Sequence, residues 1–356
     1  LAVYIILLAL LTKPMGLYLC QVLEAKGKTW LDPILKPLER LTYWLMGVDP
    51  EQEQDWKLYT FAMLLFSLVG CLFTYAILRF QDRLPLNPQG WPALSPDLSF
   101  NTAVSFATNT NWQSYSGENT MSYFSQMVAL VIHNFSSAAV GISLAAALVR
   151  GLARHSAKTL GNFWVDLVRV TYYLLLPICV VFAVVLISQG MIQNFKPYTK
   201  AKLTESYTIQ VPKTDAKGQP VTTNVPVMVQ APKLDAQGKP ILTNGVAMMV
   251  EVPKLDDKGQ PVMTNAAVMV DQKVEEQSIP QGPMASQVAI KMLGTNGGGY
   301  TNANAAHPFE NPTPLSNFLQ ILSIFAIGSG LTYYLGRQTK NQAHGWSVWS
   351  AMMVLF

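Results

Sequence analysis

Two short polar runs could do chemistry in a chain that is otherwise strongly apolar: Thr108-Asn109-Thr110-Asn111-Trp112-Gln113 and Gly294-Thr295-Asn296-Gly297-Gly298-Gly299-Tyr300. A dehydrated monovalent cation needs several oxygen dipoles and no full negative charge held too tightly. Backbone carbonyls can replace its hydration shell, provided the chain takes unusual φ/ψ values. Glycine takes them at little steric cost, which makes Gly297, Gly298 and Gly299 intelligible, and Asn111 and Asn296 tolerate them better than most residues. Thr108, Thr110 and Thr295 add hydroxyl oxygens. Neither run contains Asp, Glu, Lys or Arg. That argues against a divalent-cation site and against an anion pore lined by basic rings. Taken alone, the second run also reads as a Gly-rich turn. A phosphate loop would need Lys-Ser/Thr after its last glycine, between a strand and a helix, where Tyr300-Thr301 stands instead.

The elements that must position these runs are membrane spans. Of the 356 residues, 50% are hydrophobic and 13% charged, against roughly 25% charged in ordinary soluble domains. A bilayer core of about 30 Å takes about 20 apolar residues in a helix. The candidates are Leu1 to Cys20, Leu58 to Phe80, Met121 to Leu148, Phe163 to Met191 and Leu315 to Leu335, with a sixth starting near Trp346. Each polar run shortly precedes such a span. Non-helical polar backbone at membrane depth survives only when buried in protein or lining a water-filled path, so both runs read as re-entrant pore loops. The chain begins inside one apolar run and stops inside another, and is expected to be an N-terminal fragment of a longer protein. The net charge of +4 gives no reason to invoke nucleic acid. The three cysteines, Cys20, Cys71 and Cys179, lie in or beside apolar spans and read as small apolar residues, too scattered for a zinc pattern.

Basic residues orient the set. Arg150, Arg154, His155 and Lys158 follow the third span, and Arg337 and Lys340 follow the fifth; both turns read as cytoplasmic. The expected organisation is therefore a first transmembrane helix (1–20), a cytoplasmic loop (21–57), a helix–pore loop–helix repeat (58–148), a cytoplasmic turn (149–162), a second repeat (163–335), a cytoplasmic turn (336–345) and the start of a sixth helix (346–356). Within the first loop, Leu31 to Met46 is amphipathic: a helix along the membrane surface and a short soluble helix both fit it.

Other residues invite a choice between structure and chemistry. The tail after the second run is dense in polar side chains, among them His307, Glu310 and Asn311, which read as buttressing the loop by hydrogen bonds. His307 has no partner at metal-ligand spacing. His133, beside Asn134, reads as a buried polar contact between helices rather than a proton relay. Asp166 and Arg169, three apart, read as a local ion pair, or else as a cytoplasmic gate.

From Pro197 to Gly282 the composition changes. Val211-Pro212-Lys213-Thr214-Asp215-Ala216-Lys217-Gly218-Gln219-Pro220 recurs, varied, at 231–240 and 252–261, each copy running through Thr-Asn into a Val/Met-rich stretch. Asp-x-x-Gly is a turn signal between alternating flanks. The segment is expected to be an extracytoplasmic β-hairpin insertion, read as a tolerated loop expansion rather than a surface binding module.

The stretch Ser105-Phe106-Ala107-Thr108-Asn109-Thr110-Asn111-Trp112-Gln113-Ser114-Tyr115-Ser116-Gly117-Glu118 resembles the first pore loop of the potassium-binding A subunits of bacterial Kdp potassium-transporting ATPases. Gly294 to Tyr300, with His307-Pro308-Phe309-Glu310-Asn311-Pro312, resembles the second. The resemblance covers the chain outside the repeated insertion. It implies an all-α polytopic membrane protein of the superfamily-of-K⁺-transporters fold, with four pore-loop repeats and two further helices, of which this chain would hold the first six spans. It implies K⁺ as the transported ion, bound in a selectivity filter by Thr108, Asn109, Thr110, Asn111, Gln113, Thr295, Asn296, Gly297, Gly298 and Gly299, with Trp112, His307, Glu310 and Asn311 in support. It also implies a P-type catalytic subunit (B type) and small membrane subunits (C and F types) in a bacterial cytoplasmic membrane. The chain has no Asp-Lys-Thr-Gly phosphorylation motif and no Walker A sequence, so ATP hydrolysis is expected in a partner. An ATP-independent potassium channel or symporter of the same superfamily is the alternative.

Overall fold

The computed structural model describes every residue except 25–26, 155–157, 214–220, 233–241, 244–245, 248, 257–259 and 302. His155, Asn302 and two of the three Asp-x-x-Gly cores, with Gly259 of the third, lie outside the described residues. The chain is mostly helical and divides into two units, 1–199 with 280–356 and 200–279.

Among the described residues of the first unit, five helices are long and apolar enough to cross a membrane: α1 (Ala2–Leu23), α3 (Trp56–Arg79), α5 (Ser125–Ala153), α6 (Phe163–Ser188) and α8 (Pro314–Gln338). Shorter helices are α2 (Asp32–Met46), α4 (Pro96–Ala107), α7 (Met284–Leu293) and α9 (Gln342–Leu355). The helix starts are written in the sequence. Asp55 accepts from Leu58 N–H at the head of α3, and Asn162 from Trp164 and Val165 N–H at the head of α6. Ser95 caps α4 with Pro96 in the first turn, and Thr313 forms a reciprocal capping box with Ser316 at the head of α8. The third span begins later than its apolar text, because Met121 is extended and Gln81 Oε1 accepts from Ser122 N–H at 3.1 Å.

Small residues let spans approach, as packing in lipid requires. A side chain at Gly16 would strike Tyr333 and the Gly330 carbonyl, and one at Gly330 would strike Met15. Two spans carry π-helical stretches, Ser125–Val131 in α5 and Val170–Leu175 in α6, a feature frequent at functional sites. His133 Nδ1 lies 2.9 Å from Thr74 Oγ1, a polar contact between α5 and α3.

At one end of the spans, β1 (Gln54–Asp55) pairs antiparallel with β2 (Thr159–Gly161). Asp166 does not pair with Arg169. Arg150 crosses from the end of α5 to hold it bidentately at 2.6 and 2.8 Å, while Arg169 donates to the Val22, Gln21 and Gly27 carbonyls and to Glu39 at 3.4 Å. Three residues along one helix put two side chains on one face, but the ends of neighbouring helices offered each group a better partner.

The second unit is a set of paired strands with a nested order. β3 (Thr199–Pro212) pairs with β10 (Met269–Ile279), β4 (Thr222–Pro226) with β9 (Met263–Ala267), β5 (Met228–Pro232) with β8 (Met249–Pro253), and β6 (Leu242–Thr243) with β7 (Val246–Ala247). The first copy of the repeat therefore pairs with the third, rather than each copy closing a hairpin on itself. Between rungs the backbone closes three-residue rings of hydrogen bonds. Lys213 N–H donates to Val268, Val268 to Val221 and Val221 to Lys213, at 2.7–2.8 Å. The equivalent ring joins Lys254, Val227 and Val262. Equivalent residues of the repeat occupy equivalent places, and at each three-way junction every member donates once and accepts once, so no backbone group there is left unpaired.

Candidate functional site

The two polar runs meet. Each follows the C-terminal end of a short helix, α4 for the first and α7 for the second. A helix C-terminus carries roughly half a negative charge, so two such ends at one place favour a cation.

The left-handed backbone that the composition suggested is present at Asn111, Gly297 and Gly298 but not at Asn296 or Gly299. Asn109 and Asn111 have φ of 60° and 52°, and Thr295, Gly297 and Gly298 have φ of 56°, 71° and 73°. Thr295 is the unusual member, because a β-branched residue in this region costs roughly 1–2 kcal/mol. Around it, Thr295 N–H donates to Met292 O at 3.2 Å and Gly297 N–H to Lys291 O at 3.1 Å. In the first run, Thr110 and Asn111 N–H both donate to Ser105 O, Ser105 Oγ donates to the Trp112 carbonyl at 3.0 Å, and the Thr108 and Thr110 hydroxyls lie 2.8 Å apart.

Side chains then tie run to run. Gln113 makes a paired contact with Gly299, donating from Nε2 to its carbonyl at 3.1 Å and accepting its N–H on Oε1 at 2.9 Å. Asn296 Nδ2 donates to Asn109 Oδ1 and, at 3.1 Å, to Ser137 Oγ; Ser137 in turn donates to Asn109 Oδ1 at 2.8 Å. Asn109 Nδ2 reaches the Gly294 carbonyl at 3.4 Å. A side chain at Gly298 would meet Gln113 Oε1 and the Asn111 carbonyl. Among the described residues, both polar atoms of the Asn111 side chain and Oδ1 of Asn296 are buried without a protein partner.

Of the residues read as support, Glu310 is fully buried and accepts from Tyr300 N–H, Thr301 N–H and Thr301 Oγ1, while Gln320 Nε2 holds its carbonyl at 2.9 Å. His307 accepts from Phe309 N–H at 3.2 Å, and Asn311 donates to Asn317 at 3.0 Å. Trp112 is largely exposed. Glu118, on the single helical turn Gly117–Thr120, has its carboxyl pushed upward by burial.

Lys291, Gln126 and Gln287 belong to neither polar run in the sequence. Lys291 is fully buried; its Nζ donates to the Gly299 carbonyl at 2.5 Å and sits 5.3 Å from the Phe106 ring of α4. Gln126, on the π-helical stretch of α5, donates to the Tyr300 carbonyl at 3.0 Å and accepts from Gln287 at 2.7 Å. Lone polar residues inside apolar stretches were the available signal.

Among the described residues, five apolar helices of membrane-spanning length fit a polytopic membrane protein. The sequence model of the "Potassium-transporting ATPase A subunit" family matches residues 2–224 and 255–356, and the chain belongs to that family. It is 46% identical over 98% of its length to the potassium-transporting ATPase potassium-binding subunit of Koribacter versatilis. It is 46% identical over 100% to that of Methylacidiphilum infernorum and 47% over 100% to that of Ralstonia nicotianae. It spans 51%, 51% and 53% of those relatives, so about half their length. The family model leaves 225–254, inside the repeated segment, unmatched.

Proposed function

We propose that the protein is the potassium-binding and translocating subunit of an ATP-driven uptake complex in a bacterial cytoplasmic membrane. The observation that carries this is the junction of two acid-free polar loops, each at a helix C-terminus and each with left-handed backbone. In this reading α3–α4–loop–α5 and α6–α7–loop–α8 are two helix–pore loop–helix repeats of a superfamily-of-K⁺-transporters fold. Oxygens of Thr108, Asn109, Thr110, Asn111, Thr295, Asn296, Gly297 and Gly298 face dehydrated K⁺, while Gln113 and Gly299 bind loop to loop. Trp112, His307, Glu310 and Asn311 support them. The relatives' name, which speaks of a potassium-binding subunit of an ATPase, supports the same ion and a partner that hydrolyses ATP. We assign that role to a P-type subunit, with small membrane subunits completing the complex. The loops enter from the extracytoplasmic side, and the segment 200–279 lies there too.

The test is rubidium uptake by potassium-transport-deficient bacteria that express the full-length protein with and without its P-type partner. Uptake is expected only with the partner and is expected to vanish in Gly298→Asp. That change sets a carboxylate against Gln113 and Asn111 and puts a side chain at φ +73°. Uptake without the partner would replace this reading with a channel or symporter.

A further inference from the structure

We infer that Lys291 and Glu310 form an oppositely charged clamp on one peptide unit, Gly299–Tyr300, and that this clamp sets the ion preference of the second loop. The inference rests on the proposed ion-binding role of that loop. Lys291 Nζ donates to the Gly299 carbonyl at 2.5 Å, and the N–H of the next residue, Tyr300, donates to Glu310 Oε1. These are the two ends of a single planar group. The ammonium sits at the negative end of its dipole and the carboxylate at the positive end.

Both groups are fully buried, and burial pushes the Lys291 amine down to about 7 against the opposing pull of Glu310. Burying a charge is tolerated where it is paired and hydrogen-bonded, and here the peptide dipole lies between the two charges. A flip of that unit would set its carbonyl against the carboxylate and its N–H against the ammonium, so the clamp resists the flip from both sides. The Gly299 carbonyl also accepts from Gln113 Nε2 at 3.1 Å. With both lone pairs engaged, this oxygen is an anchor and not an ion ligand. The adjoining carbonyls of Gly297 and Gly298, in flexible left-handed backbone, are thereby given a fixed end. Lys291 also lies over Phe106 at the end of α4, so the same group bears on the helix that leads into the first loop. Lys291 and Glu310 are positioning residues.

The clamp is tested in the full-length protein within its complex by Lys291→Met and Glu310→Gln, assayed for uptake of K⁺, Rb⁺ and Na⁺. Each variant is expected to raise KM for K⁺ by about tenfold or more, the worth of one charge-assisted hydrogen bond. Discrimination against Na⁺ is expected to weaken while maximal rate changes little. Assembled variants with unchanged KM and unchanged selectivity would overturn the clamp. Wild-type protein that carries no K⁺ would instead overturn the proposed function. A second measurement needs neither transport nor a variant: hydrogen exchange in the wild-type complex. The Tyr300 and Thr301 amides are expected to be strongly protected with or without K⁺. Rapid exchange at those amides would overturn the clamp even if every variant failed to assemble.

Discussion

Arg150 shows how much one residue can be committed to structure. Its guanidinium makes the bidentate pair with Asp166, donates to the Leu23 and Leu160 carbonyls, and shares Asp166 with the Tyr59 hydroxyl. The paired side chains are only 6% and 4% exposed. Removing one partner of a buried pair leaves an uncompensated charge and costs about 3–5 kcal/mol. Arg150→Met is therefore expected to lower the thermal midpoint of the detergent-solubilised full-length protein sharply. Glu53→Gln is the contrast. Glu53 meets Arg154 at 2.8 Å and the Thr159 hydroxyl, but both ion-pair side chains are about a third or more exposed, so the loss is about 0–1 kcal/mol. The Arg154 guanidinium and then the Thr159 hydroxyl hold the Glu53 carboxyl below its usual range. A depressed folded-state pKa contributes stability above the unfolded value, roughly 4.3, and loses it as pH falls through the folded value. The small gap between wild type and Glu53→Gln should be present at pH 7 and close in acid, and a gap that widened in acid would sink the assignment. Basic residues were legible in the sequence as a cluster. Their partners were not, because Arg150 and Asp166 come together only when two helix ends are packed.

The spans were legible as elements because an apolar run of bilayer length suits a membrane and little else. The short helices α4 and α7 were not. Ser99, Thr102 and Ser105 break the apolar pattern of one, and the other merges with the polar loop that follows. Their existence is a tertiary fact, fixed by packing of α4 against α3 and α5 and of α7 against α6 and α8, and it is what brings the two loops together. For α2 the sequence left two readings, a helix along the membrane surface and a short soluble helix, and we propose the first. Its inward face carries Glu39 and Tyr43, and Glu39 accepts from Tyr43, Tyr173 and Arg169. Its outward face carries Ile34, Leu38, Leu41, Trp44 and Leu45, all exposed. A carboxylate turned inward and leucines turned outward are the arrangement that a membrane interface favours. A spin label at Leu41 in the reconstituted complex is therefore expected to collide more with oxygen than with a water-soluble nickel chelate. The reverse ratio would show a helix standing in water.

At the scale of the whole molecule, nesting explains how an 80-residue unit can be carried in this chain. The strand that enters it and the strand that leaves it are paired. On either side of them along the chain, in the first unit, Asn194 N–H donates to the Gly282 carbonyl at 3.1 Å and Gln193 bridges Pro283. The neck is thus closed by contacts that do not involve the strands. The stretch that the family model leaves unmatched, 225–254, nearly coincides with the inner rungs β5–β8 and β6–β7. Because each described junction closes its own ring of hydrogen bonds, rungs can be added or lost from the inside without disturbing entry or exit. The 20-residue repeat was visible in the sequence; the nesting was not, since local turn signals suggest local hairpins and carry no information about which copies pair. Replacing residues 200–279 by a short Gly/Ser linker should cost little closure entropy, as loop length enters only logarithmically. Rubidium uptake by the complex is then expected to stay within about twofold of wild type. Uptake lost from a complex that still assembles would make the repeated segment part of the transport machinery rather than an expansion the fold tolerates.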